Sequence, residues 1–519
     1  MTASIIQGIV FSLYLALMVF VGFKFYSKSN THSEYVLGGR SMNVWVTSMS
    51  AQASDMSGWL LMGLPGLAYL GSGITEAIWT AIGLAIGTYL NWLIVAKPLR
   101  KYTQIANNSL TIPDFLKNRF KDKSDLLRVI SALFIVIFFT VYTSSMFAAG
   151  AKLFDFVFGI DYGIALIISV LVVTIYTFTG GFKAVCWTDL FQGLLMFAAL
   201  VIVPVVMFKE ISGNGISVSE ALSEATLLPN ENFTVMGIIG AIAWGLGYFG
   251  QPHILARFMS IRSSKEIRPA RIIAMVWVII TLAATVILGI IAKPYIAAIA
   301  GKGAITNPTI VGIIENGAIS AGNHEKVFMV LVQHMFPTII AGVLLSAVLA
   351  AIMSTADSQL LVTASAVSGD LYKPLFKKDA TDKELVKVSR IAIACVALVA
   401  GIIAIDPESS VFEIVSHAWA GFGAAFGPII LCSLFWKNTN SKGAIAGVIS
   451  GGVVALLWAY MGNILGWFGI TEVPEIFSLY EIVPGFIISL LAIFITSIAT
   501  GGASDEVKAE FDTVKKSEV

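Results

Sequence analysis

Apolar residues run along this chain in long blocks separated by short polar loops, and the blocks have the length of membrane helices. About 20 apolar residues in α-helix cross the hydrocarbon core of a bilayer. That rule gives about thirteen blocks, near 5–26, 44–70, 73–96, 127–156, 161–180, 188–208, 234–252, 272–292, 328–370, 386–404, 410–435, 442–462 and 480–499. The pattern predicts an all-α polytopic membrane protein with about thirteen transmembrane helices. The ninth block is too long for one straight crossing, so a kinked or membrane-parallel part is expected within it.

The loops between blocks alternate in charge. One set is basic, with Lys24, Lys28 and Arg40, then Lys97, Arg100, Lys101, Lys117, Arg119, Lys121 and Lys123. It continues through Arg257, Arg262, Lys265, Arg268 and Arg271, through six basic residues between Lys373 and Arg390, and ends at Lys437 and Lys442. The other set is acidic or neutral: Asp155 and Asp161; Glu220, Glu224 and Glu231; Asp406 and Glu408; Glu472, Glu475 and Glu481. Basic loops stay in the cytoplasm. The expected topology has the N-terminus outside and residues 503–519 as a cytoplasmic tail, too short for a domain, at the cell (plasma) membrane.

Composition narrows the function. The 519 residues are 57% hydrophobic and 13% charged, against roughly a quarter charged in soluble domains. A net charge of +1 offers no large basic face to nucleic acid. Cys186, Cys395 and Cys432 have the spacing of neither a metal site nor a disulfide framework. The first block lacks preceding basic residues and a small-residue cleavage site, so it is expected to be a retained span.

Ionisable groups at membrane depth are costly and mark sites or pathways. Asp55 stands in "MSAQASDMSGWLLMG" among Ser50, Ser54, Ser57 and Gly58. Asp189 lies at the entrance to the sixth block, and Asp357 lies in the ninth beside Ser354, Thr355, Ser358, Thr363 and Ser365. Hydroxyls and backbone carbonyls suit a hard cation; singly, the serines serve helix packing as well.

The second block holds Gly58, Gly63, Pro65 and Gly66, and the seventh holds Gly245, Gly247, Gly250 and Pro252. Paired Gly/Pro-interrupted spans point to a transporter's binding site. Their five-block separation predicts two inverted repeats, 44–208 and 234–435, within a transport domain spanning 1–502, with 5–26, 442–462 and 480–499 as additional helices. Freed carbonyls near Ala53 and Met56 can take a cation. Freed amides near Ser57 and Gly58 can take a carboxylate. Trp59, Tyr142, Trp244 and Tyr248 fall within or opposite these breaks, where aromatic faces wall a small ring and attract an ammonium.

With these residues in hand, the chain resembles the solute:sodium symporter family over about residues 5–500. The resemblance rests on "YVLGGRSMN" (35–43), "SAQASDMSGW" (50–59), "TGGFKAVCWTDLFQG" (179–193), "WGLGYFGQPHILARFMS" (244–260), "LLSAVLAAIMST" (344–355) and "AWAGFGAAFGP" (418–428). The fourth of these points to the family's proline branch. The resemblance implies a leucine-transporter-type five-plus-five inverted repeat with discontinuous helices, alternating access, and sodium-coupled uptake of L-proline. It implies sodium held by the carbonyls of Ala53, Met56 and Ala351 and the hydroxyls of Ser354 and Thr355, with Asp55 supporting. It implies proline at Ser57, Gly58, Trp59, Tyr142, Trp244, Tyr248 and Pro252, and coupling through Arg40. Asp189 matches the acid of a second sodium site in some relatives, whose partner helix carries serines at the positions of Asp357 and Ser358. With Asp357 there, one sodium per proline is expected.

No cofactor beyond the coupling ion and no obligate protein partner is expected. The nearest alternative is the same machine with another solute, such as pantothenate, a sugar or another small acid. A sensor feeding a kinase is disfavoured by the short tail. An intramembrane enzyme or nucleotide-driven pump is disfavoured by scattered histidines and by the lack of "HExxH" and "GxxxxGK[ST]".

Overall fold

The computed structural model of the protein describes residues 3–26, 31–223, 225–229, 233–470 and 473–517. Lys28, Glu224, Glu231 and Glu472, counted in the loops above, lie outside them.

The first block is one helix, α1 (Ala3–Tyr26). The second is discontinuous: α2 (Val44–Asp55) ends in mid-span, a wide π-type turn covers Trp59–Gly63, and α3 (Leu64–Tyr69) finishes it. Then come α4 (Ile74–Leu90), leading through a second wide turn into α5 (Ala96–Ile105), and α6 (Leu126–Phe158), α7 (Tyr162–Thr179) and α8 (Phe182–Gly213). The seventh block is discontinuous as well, with α9 (Val235–Ala243), tight 3₁₀ turns over Trp244–Gly250, and α10 (Pro252–Ser260). After it follows α11 (Ile267–Gly301).

The over-long ninth block divides at Phe336–Pro337 into α12 (Val327–Met335) and α13 (Thr338–Ser365). Phe336 takes the extended conformation that a following proline imposes on its predecessor. Four helices complete the transmembrane part, α14 (Asp382–Ile403), α15 (Val411–Phe435), α16 (Ser441–Ala459) and α17 (Ile482–Ala499), and α18 (Asp505–Lys516) forms the tail.

Among the described residues, ten helices are long and apolar enough to cross a membrane. Three further apolar helices, Trp59–Tyr69, Tyr162–Phe178 and Val235–Gly250, are shorter. Two of these are short because their spans are broken. The helices overrun several blocks: 188–208 lies inside Phe182–Gly213, and 272–292 inside Ile267–Gly301. Hydropathy marks only the hydrocarbon crossing, while the backbone hydrogen-bond ladder continues into the polar zone.

Among the described residues, one hairpin departs from all-α, besides an isolated parallel bridge between Met42 and Ile261. A two-stranded antiparallel hairpin pairs β1 (Ile314–Glu315) with β2 (Ala318–Ile319), Ile314 opposite Ile319. The Ile319 amide donates to the Tyr69 hydroxyl at 2.9 Å, fastening the hairpin to the end of α3.

The centre of the bundle belongs to α13 and α15. Of their apolar windows, 83% and 89% are buried, against 28% for α1 at the rim. Small residues bring the broken spans against their neighbours: an added Cβ at Gly87 would stand 2.4 Å from Gly245 Cα, and one at Gly250 would stand 2.3 Å from Phe422 O.

Candidate functional site

The break in the second span begins at Met56, whose φ of −80° and ψ of 76° leave the helical range. The Ser57 amide, which a continuing helix would direct to Ala53 O, donates to Asp55 O at 3.0 Å, and the Leu60 amide donates to Ser57 O at 3.0 Å. The carbonyls of Ala53 and Met56 are thereby released from the α-helical ladder. Ala53 O accepts from α13 instead, from Ser354 Oγ at 2.7 Å and Thr355 Oγ1 at 3.5 Å. Ser354 Oγ also lies 3.3 Å from Ala351 O. Two carbonyls and two hydroxyls from separate spans thus meet at one buried point. It is an all-oxygen set, and all-oxygen sets favour hard cations.

Asp55, the last residue of α2, is 1% exposed. Its Oδ2 accepts from the Tyr248 hydroxyl at 2.7 Å, linking the two breaks. Its Oδ1 is buried with no hydrogen-bond partner. Gly58 passes close to α6, where an added Cβ would meet Ala149 Cβ at 3.2 Å.

The second break is lined by rings. Trp244 faces Trp59 across the site with centroids 6.3 Å apart, and it stacks on Tyr480 at 5.4 Å. Phe412 lies 5.2 Å from it and Trp419 6.3 Å. Trp419 Nε1 donates to Trp244 O at 2.8 Å, satisfying a carbonyl that the tight turns leave free. The Trp419 ring also meets Tyr248 edge-on at 5.0 Å. Tyr142, in the middle of α6, is fully buried, and its ring stands 6.5 Å from His253. Pro252 opens α10 and lines a narrow cleft of about 20 Å³ with Ile135 and Val362.

The structure corrects part of the basic-loop assignment. Arg257, assigned above to a basic loop, is 0% exposed inside α10. Its guanidinium reaches Asp189 Oδ2 at 3.2 Å, Ser50 Oγ at 3.0 Å, Ser358 Oγ at 2.5 Å and its own helix at His253 O, 3.0 Å. Ser50 Oγ in turn donates to Asp189 Oδ2 at 2.6 Å. Asp189 lies near the start of α8, at the beginning of the 188–208 block, and is fully buried. This network joins α2, α8, α10 and α13 as a second polar centre, built around an ion pair rather than around released carbonyls. Arg100 and Arg119 of the basic loops are buried as well, at 5% and 0%.

Arg40 closes the end of the molecule where the basic loops gather. It donates to Met259 O and Ser109 O at 2.7 Å each, to Asn108 Oδ1 at 2.9 Å and to Thr103 Oγ1 at 3.1 Å. Its φ of +53° is left-handed. Alongside, the Met42 amide donates to Ser260 O at 3.2 Å and the Arg262 amide to Met42 O at 3.0 Å. At the opposite end a vestibule of about 320 Å³ descends to Trp244, walled by Phe412, Tyr480 and the His417–Glu481 pair. Lys152 on α6 is bound there to Glu325 at 2.7 Å.

The sequence pattern of the "Sodium:solute symporter family" matches residues 35–451. The chain belongs to that family. Two similar proteins are the "Osmoregulated proline transporter OpuE" of Bacillus subtilis, 42% identical with 94% of each chain covered, and the "Sodium/proline symporter" of Escherichia coli, 44% identical with 97% of this chain and 95% of the relative covered. Among solved structures, a Na⁺-coupled sialic acid symporter superimposes with a TM-score of 0.73 at 21% identity, covering 96% of this chain and 99% of that one. The fold is that of leucine-transporter-type symporters. Sequence reasoning in this symporter family missed Arg257 and Trp419. For Arg257 a signal existed: Ile254, Leu255, Phe258 and Met259 flank it with helical spacing after Pro252, as in a continuing buried helix. Trp419 gave none, because its bond to Trp244 O is purely tertiary.

Proposed function

We infer that this protein carries L-proline into the cell together with sodium, by alternating access. The observation that carries the reading is the shared Ala53 carbonyl, where the break in the second span meets the Ser354 and Thr355 hydroxyls of α13. A sodium ion held by Ala53, Met56, Ala351, Ser354 and Thr355 joins those two spans. Asp55 supplies negative charge next to it without being required as a ligand. Joining the spans fixes the half-helix N-terminus at Ser57 and Gly58, which receives the proline carboxylate once the Ser57 amide leaves Asp55 O. Trp59, Tyr142, Trp244 and Tyr248 enclose the ring, and Pro252 sets the start of α10 beneath it. Each solute then raises the other's affinity, since binding coupling is reciprocal.

One sodium per proline fits the second polar centre, where Ser50 and Arg257 already occupy Asp189 Oδ2. Repeats 44–208 and 234–435 rock around the site, and Arg40 couples it to the cytoplasmic end. The basic loops on that end support a topology with the first residue outside and α18 in the cytoplasm, at the plasma membrane. One charge moving down 100 mV supplies about 2.3 kcal/mol, and a tenfold sodium gradient adds about 1.4 kcal/mol. Together these sustain a proline ratio of several hundredfold, on the order of 500.

The test is labelled L-proline uptake into proteoliposomes under an inward sodium gradient, an equal potassium gradient, or neither. Accumulation under sodium alone is expected. Uptake indifferent to sodium would remove the ion assignment, and no proline uptake by protein that moves another solute from a competitor panel would remove the substrate.

A further inference from the structure

Helix α18 does not trail free. The Ser504 hydroxyl accepts from the Val507 amide at 3.4 Å to cap it, Val507 and Val514 are buried, and Lys121 pairs with Glu510. Phe511 lies 6.4 Å from the Tyr102 ring of α5, and the Arg119 guanidinium lies 5.3 Å from the Phe511 ring. Between α18, α5 and the last turn of α15 the packing leaves a groove of about 290 Å³. Pro98, Leu434, Phe435 and Val514 give it apolar walls, and Lys97, Lys101 and Lys515 stand around it with no carboxylate among its lining residues.

We propose that this groove binds an anionic phospholipid of the inner leaflet. Two observations choose the occupant. The first is charge: three ammonium groups converge on an apolar slot, and among the described residues Lys101 alone of the three has a hydrogen bond, to Ser517 O at 2.5 Å. The second is depth. Leu93 and Ile94, one turn before Lys97, are 43% and 36% exposed, and Phe435 at the end of α15 is 53% exposed. These side chains face hydrocarbon, so the groove opens where acyl chains end and headgroups begin. Acyl chains lie along Phe435 and Leu434, and the headgroup phosphate meets the lysines, as basic residues beside a span do with anionic lipid. The lipid then forms the fourth side of the seat on which α18 rests.

The full-length purified protein in detergent is titrated with phosphatidylglycerol, with phosphatidylcholine of the same chains, or with glycerol phosphate, and bound lipid is counted by native mass spectrometry. Phosphatidylglycerol should be retained at least tenfold better than phosphatidylcholine, and glycerol phosphate should not compete. The combined Lys97→Gln, Lys101→Gln, Lys515→Gln variant should lose that preference. A control changing the exposed Lys378, Lys383 and Lys387 to Gln should keep it. Phe435→Ser, at an exposed position where folding is safe, should weaken retention severalfold. Equal retention by the triple variant and the parent overturns the site, as does an equal loss in the control. Displacement by glycerol phosphate alone overturns the lipid and leaves a phosphate site.

Discussion

The two broken spans are built differently. The first break is short and oxygen-rich: Met56 turns away, two carbonyls are released, and a carboxylate stands beside them. The second is longer and ring-rich, with seven residues of tight turn whose glycines are pressed against neighbouring atoms. An added Cβ at Gly247 would stand 1.9 Å from Trp419 Nε1, whereas one at Gly58 would find its nearest atom at 3.2 Å. The contrast teaches a division of labour. The first break is held by hydrogen bonds that an ion can replace. The second is held by close packing besides its bonds from Trp419 and Asn91, and packing changes only when whole helices move, because close-packed interiors do not deform continuously.

The largest effect should come from forcing the packed break. Gly247→Ala must displace Trp419 and its bond to Trp244 O, and overpacking of this kind costs about 1–3 kcal/mol. A clear fall in melting temperature with loss of proline uptake is expected, while Gly58→Ala should melt close to the parent; equal melting of the two would erase the contrast. Next is Asp55→Ala. The sodium concentration for half-maximal uptake should rise at least about tenfold, equivalent to about 1.4 kcal/mol, in protein shown by labelling to be inserted; unchanged sodium dependence removes Asp55 from the ion site. Thr355→Val deletes one oxygen and should raise that concentration about five- to tenfold, in the range of a net hydrogen bond, with proline affinity preserved at saturating sodium. Smallest is Tyr248→Phe, which leaves Asp55 Oδ2 without its donor. Sodium and proline affinities should both fall about threefold, within the same range, and a change in only one would show that the two breaks are not linked through this bond.

The elements of this fold were legible because hydrocarbon imposes length and Gly/Pro pairs report where the backbone ladder fails. Gly58 with Pro65, and Gly247 with Pro252, located both breaks, and the excess length of 328–370 foretold the division at Phe336–Pro337. The first polar centre was legible in part, since Asp55 and the Ser354–Thr355 pair are polar where water is absent. Arg257 was legible only as part of a continuing helix, through its apolar neighbours; that its charge is compensated shows only in its partners Asp189, Ser50 and Ser358. The docking of α18 was hidden for a related reason: a polar twelve-residue segment gives no sign of a surface that receives its three apolar side chains, Val507, Phe511 and Val514.

Arg40 combines two opposing features at one position. Its guanidinium makes four hydrogen bonds that hold the basic end shut, and its backbone is left-handed. A non-glycine residue held in that region stores about 1–2 kcal/mol. Were Arg40 to leave that region when the bonds break, part of their cost would be returned, and the clasp would carry its own spring. A carrier turns over only if neither of its faces is too comfortable, and a lock made of bonds alone would trap one of them. A loaded backbone at Arg40 would bring the two nearer to balance, and substituting it should then change the rate at which the protein cycles more than how tightly it binds.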